Sequence, residues 1–380
     1  MRRLIAIVFI LTSCVEPYNP AGLDGNIYPM VVDGYIDLDG SASVKLSTGV
    51  PLSASDTPPT VTGAAVTIES SGGETFQLHE DEPGTYTAGN LNVDKISTYA
   101  VHVVTENNDY RSDDVHIYST PPIDSVYWSV NGANRLEIML DSHDDNPDGP
   151  GLYLANGIET YEYHAELQSN FNFIDRKAIP RTPNEEVYVC WRDEIGASVL
   201  TNTNNLKKTV ISGMVISTIE ATSHKLLIRY SILARLRSVS PEEFDFQREL
   251  IANEKTGSLF SPIPATTISN VHSTRNPGET VLGWFRGQQI RELRYFIGED
   301  THTLPGDFKT PPPSTCVPLQ TCPFGLVSVS PCTRLSELNS ATIITDVVMR
   351  GDDIVSYIFT SPECGDCRVQ GGTTTRPPYW

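Results

Sequence analysis

Cys364 and Cys367 stand around Gly365 and Asp366 with the spacing of a redox dithiol or of half a zinc site. A thioredoxin-like dithiol needs a βαβ setting, which the prolines at 311 to 313, 318, 323 and 331 do not offer. A cysteine zinc site would compete with oxidation in an exported chain. Structural disulfides are therefore the expectation. The candidates are Cys190, Cys316, Cys322, Cys332, Cys364 and Cys367, an even set once Cys14 is put aside. Five of them lie after residue 315, where a segment stapled by bridges rather than packed by its own core is expected. Cys190 must either reach into that segment or stay free, and the sequence does not choose among the pairings.

The richest acidic stretch is Asp141, His143, Asp144, Asp145, Asn146 and Asp148, followed by Gly149. Asp144, Asn146 and Asp148 place oxygen ligands at alternate positions before a glycine, as the start of a calcium loop does. The pattern then fails, because Ala155 stands where an EF-hand needs a bidentate glutamate, and Pro147 stiffens the loop. An acidic turn between strands explains the same composition. Calcium at Asp144, Asn146 and Asp148 is thus the one metal alternative, and no other cofactor is expected.

His164 alternates with Glu162 and Glu166, which can set a base among carboxylates, but a solvated strand face accounts for the same pattern. There is no Gly-x-Ser-x-Gly elbow, no His-Glu-x-x-His and no phosphate-binding glycine loop. Pro377-Pro378-Tyr379-Trp380 sets two aromatics on a stiff stem. That is either a binding hot spot or a plug tucked into the domain, and the plug is the expectation because an exposed Trp is an aggregation liability.

The elements that would position these residues are mostly strands. Ala64, Val66 and Ile68 alternate with Thr67 and Glu69, and Tyr99, Val101 and Val103 with Ala100, His102 and Val104. This is the period of two of half-buried strands. About seven such runs between Met30 and Ile117 predict an immunoglobulin-like β-sandwich over 27–121, bounded by Pro121-Pro122. Leu136, Ile138 and Leu140, then Tyr161, Tyr163, Ala165 and Leu167, predict a second β-rich domain over 122–380. One helix is predicted within it, over about 241–253. Ser240 can cap it, Pro241 fits its first position and Glu243 completes a capping box.

Before the first strands, Met1-Arg2-Arg3 and the apolar run Leu4 to Leu11 have the order of a secretory signal over 1–13. The run ends in Leu11-Thr12-Ser13-Cys14, which resembles a bacterial lipobox with Cys14 as the acylated residue. Each acyl chain adds ~0.8 kcal/mol of membrane affinity per buried methylene. Residues 14–26 then read as a lipidated tether. The 27 basic against 47 acidic residues, a net charge of −20, would repel phosphate backbones, so nucleic acid is not an expected partner.

Several stretches together resemble a family of Bacteroidetes outer-membrane lipoproteins catalogued as domain of unknown function 4249. They are Val31-Val32-Asp33-Gly34, Tyr230-Ser231-Ile232, Pro241-Glu242-Glu243-Phe244, Gly257-Ser258-Leu259-Phe260 and Asn276-Pro277-Gly278-Glu279. Further on come Leu282-Gly283-Trp284-Phe285, Cys364-Gly365-Asp366-Cys367, Gly371-Gly372-Thr373 and Trp380. The family has no assigned catalytic or binding residues, so none is carried over. What the resemblance implies is context, since such lipoproteins are often encoded beside TonB-dependent transporters. The expected function is a non-enzymatic binding or accessory subunit at the outer membrane, partnered with such a β-barrel. On which membrane face it sits is left open. The alternatives are a structural subunit of an envelope assembly and, more remotely, a glycan-directed enzyme. The contact surface is expected after Pro122, around Tyr161, Tyr163, Trp191 and Trp284.

Overall fold

Alternation decides the first strands. In Met30–Asp37, Met30, Val32, Gly34 and Ile36 are buried while Val31, Asp33 and Tyr35 are more open, so one face of the pleat packs and the other does not. The computed structural model describes residues 28–50, 57–145, 149–203, 209–255, 269–298, 304–311, 313–322, 333, 335–338 and 342–380. Among them no helix is long and apolar enough to cross a membrane. Cys14 and the expected signal and tether lie outside the described residues.

The chain is mainly β. Its first unit is laid down by β1 (Met30–Asp37), β2 (Ala42–Thr48), β3 (Ala65–Ser70), β4 (Thr75–Glu82), β5 (Thr85–Ala88), β6 (Thr98–Val104), β7 (Asp109–Ser112) and β8 (Val115–His116). One half runs β4-β5-β2-β1 and the other is built on β3-β6-β7, with β4 pairing into both. Their inner faces share one core, including Val32, Ile36, Leu46, Val66, Ile68, Tyr99 and Val101. This is the predicted sandwich.

The second unit follows with β9 (Ile123–Val130), β10 (Arg135–Asp144), β11 (Leu152–His164), β12 (Phe171–Ile174), β13 (Lys177–Pro180), β14 (Val189–Ile195), β15 (Val199–Asn202), β16 (Thr209–Glu220) and β17 (Arg229–Ser238). Helix α1 (Pro241–Lys255) comes next, two residues longer than predicted. Ser240 Oγ accepts the Glu243 amide at 3.1 Å, but the Glu243 carboxylate does not close the capping box. It turns instead to Arg237, at 2.7 Å. The rest is β18 (Val271–Ser273), β19 (Val281–Leu282), β20 (Phe285–Gln288), β21 (Ile290–Ile297), β22 (Leu319–Gln320), β23 (Ile343–Arg350), β24 (Asp353–Thr360) and a four-residue helical turn, Pro362–Gly365. Sheets β16-β10-β9 and β14-β11-β17-β21 share one core, with Leu136, Ile138 and Leu140 among residues set against Tyr161, Tyr230 and Ile232.

Two features depart from expectation. The division at residue 121 placed all later chain in the second domain, yet β18, β19 and β20 return to the first sandwich. There β19 and β20 extend β1 in parallel, and β18 joins β7. At the crossing Gly283 has φ +94°, and a Cβ there would lie 2.1 Å from the Val32 carbonyl oxygen, so only glycine fits. The family-like stretches Val31 to Gly34 and Leu282 to Phe285 are thus strand neighbours, with the Gly34 amide donating to Trp284 O at 3.0 Å. The second departure is the C-terminal segment, which is self-packed as well as stapled. The sheet β13-β12-β23-β24-β22 buries Ile344, Tyr357 and Phe359 against Phe171 and Phe173. The prolines before residue 332 had hidden the apolar runs that follow them.

Candidate functional site

On β1 the outward face carries Asp33, Tyr35 and Asp37. In register beside them on β20, Arg286 neighbours Tyr35 and Gln288 neighbours Asp37. Together they form one wall of a cleft of about 1250 Å³ between the two units. The opposite wall brings Asn156 from β11, Arg235 and Arg237 from β17, Phe246 from α1, and Arg291 and Glu292 from β21. Phe246 and Trp284 stack with centroids 4.9 Å apart, which fixes the helix against the returning segment.

Every arginine lining the cleft is engaged. Arg286 pairs with Asp33 at 2.8 Å, Arg235 with Glu292 at 2.7 Å and Arg237 with Glu243 at 2.7 Å. Arg291 donates Nε to the Thr120 carbonyl at 3.1 Å. Burial pushes the Asp37 carboxyl above its ordinary range, against hydrogen bonding from the Asp39 amide and Gln288. Beside the cleft lies buried Thr120, just before the diproline. Its amide and hydroxyl bond Gln289, and its hydroxyl accepts the Ser238 amide, so the junction is tied to both sides.

A second polar cluster lies on the β11 sheet. Lys225 bridges Glu159 at 2.5 Å and Glu194 at 2.6 Å, and Tyr161 donates to Glu194 at 2.8 Å. Burial pushes the Glu194 carboxyl up, but hydrogen bonds from Lys225 and Tyr161 outweigh it and hold it below the usual range. Burial likewise works against the Lys225 charge, and its two carboxylate partners raise it overall. The Glu194 share of stability is present above the unfolded pKa near 4.5 and is lost as pH falls through the lower folded value. The Lys225 share is present below 10.5 and is lost as pH rises through the higher folded value. Lys225→Met is therefore expected to lower the melting temperature most between these limits, with the gap to wild type closing in acid. Thermal melts from pH 3 to pH 8 check this, and a gap that does not narrow below about pH 4 refutes it.

Cys190 is bonded to Cys367 and Cys316 to Cys364, so the Cys364-to-Cys367 pair is not a dithiol but two half-bridges going to different places. Cys322 is also disulfide-bonded, and Cys332 lies outside the described residues. Of the calcium candidates Asp144 closes β10, while Asn146 and Asp148 lie outside the described residues. Nearby Asp141 is engaged in sheet contacts, accepting the Gly213 amide at 2.7 Å and the Tyr127 hydroxyl at 3.2 Å. Among the described residues no group of three or more metal-capable side chains forms.

The Glu162–His164–Glu166 face is partly covered, with Glu162 and His164 half-buried and Glu166 exposed. Glu162 accepts Trp380 Nε1 at 2.9 Å, His164 packs at a tilt against Tyr188 with ring centroids 4.7 Å apart, and Glu166 accepts the Ser314 hydroxyl. The terminal aromatics lie on the sheet rather than inside the domain, Tyr379 exposed and Trp380 half-buried. Tyr379 lies under the Arg294 guanidinium at 3.6 Å, and Trp380 lies 5.1 Å from that of Arg229. Of the aromatics expected at a contact surface, Tyr161, Tyr163 and Trp284 are core residues and cannot serve there without unfolding. The sequence does not announce the cleft, because its residues come from six separate strands and a helix, with no spacing signature. The one signal is that Asp33, Leu282, Gly283 and Trp284 belong to the family-like stretches.

A search of curated proteins finds no match. Among solved structures 28 chains match. One is a crystal structure of the chicken CNTN1 FN1–FN3 domains, 14% identical, with a TM-score of 0.19, covering 56% of this chain. The chain spans 62% of that structure's length. The model of a family described as domain of unknown function (DUF4249) matches residues 16–294, the greater part of the sequence, and the chain belongs to that family.

Proposed function

We propose that the chain is a non-enzymatic binding or accessory subunit at the outer membrane, anchored through acyl chains on Cys14 and partnered with a TonB-dependent β-barrel transporter. The observation that carries a binding role is the cleft. Two units that share hydrogen bonds at Thr120 leave between them a space of about 1250 Å³ walled by polar and aromatic side chains. Sites between domains are where ligands are most often held. The disulfides Cys190–Cys367 and Cys316–Cys364 suit an exported chain. The lipobox-like Leu11 to Cys14 supports the anchor.

The test is co-purification of the tagged, wild-type chain from detergent-solubilised native membranes. A β-barrel transporter is expected in stoichiometric yield. Cys14→Ser is expected to release the chain from the membrane fraction and to lose the barrel with it. Recovery of no barrel with the anchored chain, or normal acyl labelling of the Cys14→Ser chain, overturns the reading.

A further inference from the structure

The pairing of charges in the cleft restricts what can occupy it, on the reading that the cleft is the binding site. Four carboxylates, Asp33, Asp37, Asp39 and Glu292, and four arginines, Arg235, Arg237, Arg286 and Arg291, line the cleft and balance, and an anionic ligand could take three of those arginines only by displacing Asp33, Glu292 or Glu243 held at 2.7–2.8 Å. Breaking a partly buried pair to make one new pair gains little. What the lining adds besides these balanced charges is uncharged: the half-buried Tyr35 ring, Asn156, Ser198, Gln247 and the amide nitrogen of Gln289, whose oxygen is held by the Thr120 amide, with Gln288 buried against Asp37. Planar amides and the flanks of paired carboxylates and guanidiniums are bidentate partners for adjacent hydroxyls. Tyr35, between Asp33 and Asp37 on the same strand face, supplies an aromatic surface with acceptors on either side.

A peptide is the competing polar, uncharged occupant. Extended peptides are mostly captured by adding to a free strand edge. Here β1 is paired on one side by β2 and on the other by β19 and β20, and β17 lies between β11 and β21. These two strands therefore present side-chain faces to the cleft, not main-chain edges. The space also exceeds the roughly 300–1,000 Å³ typical of pockets for one small molecule. We infer that the cleft binds a neutral oligosaccharide of several rings, with Tyr35 as stacking platform and Gln247, Gln289 and Asn156 as hydroxyl partners.

Calorimetric titration of the mature, disulfide-intact chain tests this. The probes are maltohexaose, cellohexaose, xylohexaose and mannohexaose, with hexagalacturonate as the charged counterpart and an unfolded-protein digest as the peptide counterpart. At least one neutral hexamer is expected to bind with Kd below about 1 mM. Tyr35→Ala should weaken it at least ~10-fold, and Asn156→Ala measurably, while Tyr35→Phe stays within about threefold of wild type. Unchanged melting temperatures of the variants separate lost binding from lost folding. Binding of no neutral hexamer overturns the proposal, as does binding that Tyr35→Ala and Asn156→Ala leave unchanged in folded protein. If hexagalacturonate or the digest binds instead and Tyr35→Ala weakens it, the ligand class is wrong while the cleft stands as a binding site.

Discussion

Replacing Cys190 and Cys367 together by alanine is expected to cost about 5 kcal/mol of unfolding free energy. The bridge joins residues 177 apart, and closing a loop of that length removes an entropy from the unfolded chain worth roughly 5 kcal/mol at 25 °C. The Cys316–Cys364 bridge closes only 48 residues and is worth roughly 4 kcal/mol on the same reasoning. Position adds to the difference. Cys190 and Cys367 are fully buried, and Tyr163 donates its hydroxyl to the Cys367 carbonyl at 2.7 Å, so the bridge also seats the C-terminal segment on the core of the second unit. Cys316 is more open. Denaturant midpoints of the two double variants and wild type, at equal slope, give the comparison. A loss under about 1 kcal/mol for the Cys190 and Cys367 variant would show that the bridge does not constrain the unfolded chain.

Glu243→Ala should be nearly as damaging, by about 3–5 kcal/mol, because it leaves a guanidinium buried without its counter-charge. The Arg237 and Glu243 side chains are 10% and 3% exposed, so water does not replace a lost partner. Nη1 of Arg237 has no hydrogen-bond partner among the described residues even with the pair intact. Removing both charges is expected to be far milder than removing one. Arg237→Met with Glu243→Leu should recover most of the loss, since apolar side chains of similar volume avoid the desolvation altogether. Chemical denaturation of the single and double variants decides it. A double variant no more stable than Glu243→Ala would refute the view that the uncompensated charge is what hurts.

Local pattern made much of this fold legible. Val66 and Ile68, or Val101 and Val103, announce strands because each buries every second residue, and Ser240 with Pro241 marks the helix start within its own four residues. What could not be read was pairing across distance. Val281-Leu282 is a two-residue strand, and nothing in it says that its partner is Met30-Val31. The same holds for the bridges, since Cys364 and Cys367 look like one motif until the fold carries them to Cys316 and Cys190. Glu243 has the position of a capping residue, and its turn to Arg237, six positions back at the end of β17, depends on the angle at which the strand hands over to the helix. The cleft belongs to this class: its walls exist only once β1, β20 and β17 have been brought together.

The returning strands also bear on how the chain reaches its native state. Asp33 of β1 and Arg286 of β20 are partners separated by 253 positions, so the parallel edge of β1 stays open while β9 to β17 and helix α1 are being made. At synthesis rates of about 5–20 residues per second the wait is tens of seconds, long against hairpin formation in microseconds. An unpaired strand edge is a template for another chain during that interval. A fragment stopped at Pro121 would carry this open edge permanently and lack β18, which pairs β7 on the other half of the sandwich. Such a fragment should be prone to self-association, and the two units should mature as one event rather than in N-to-C order.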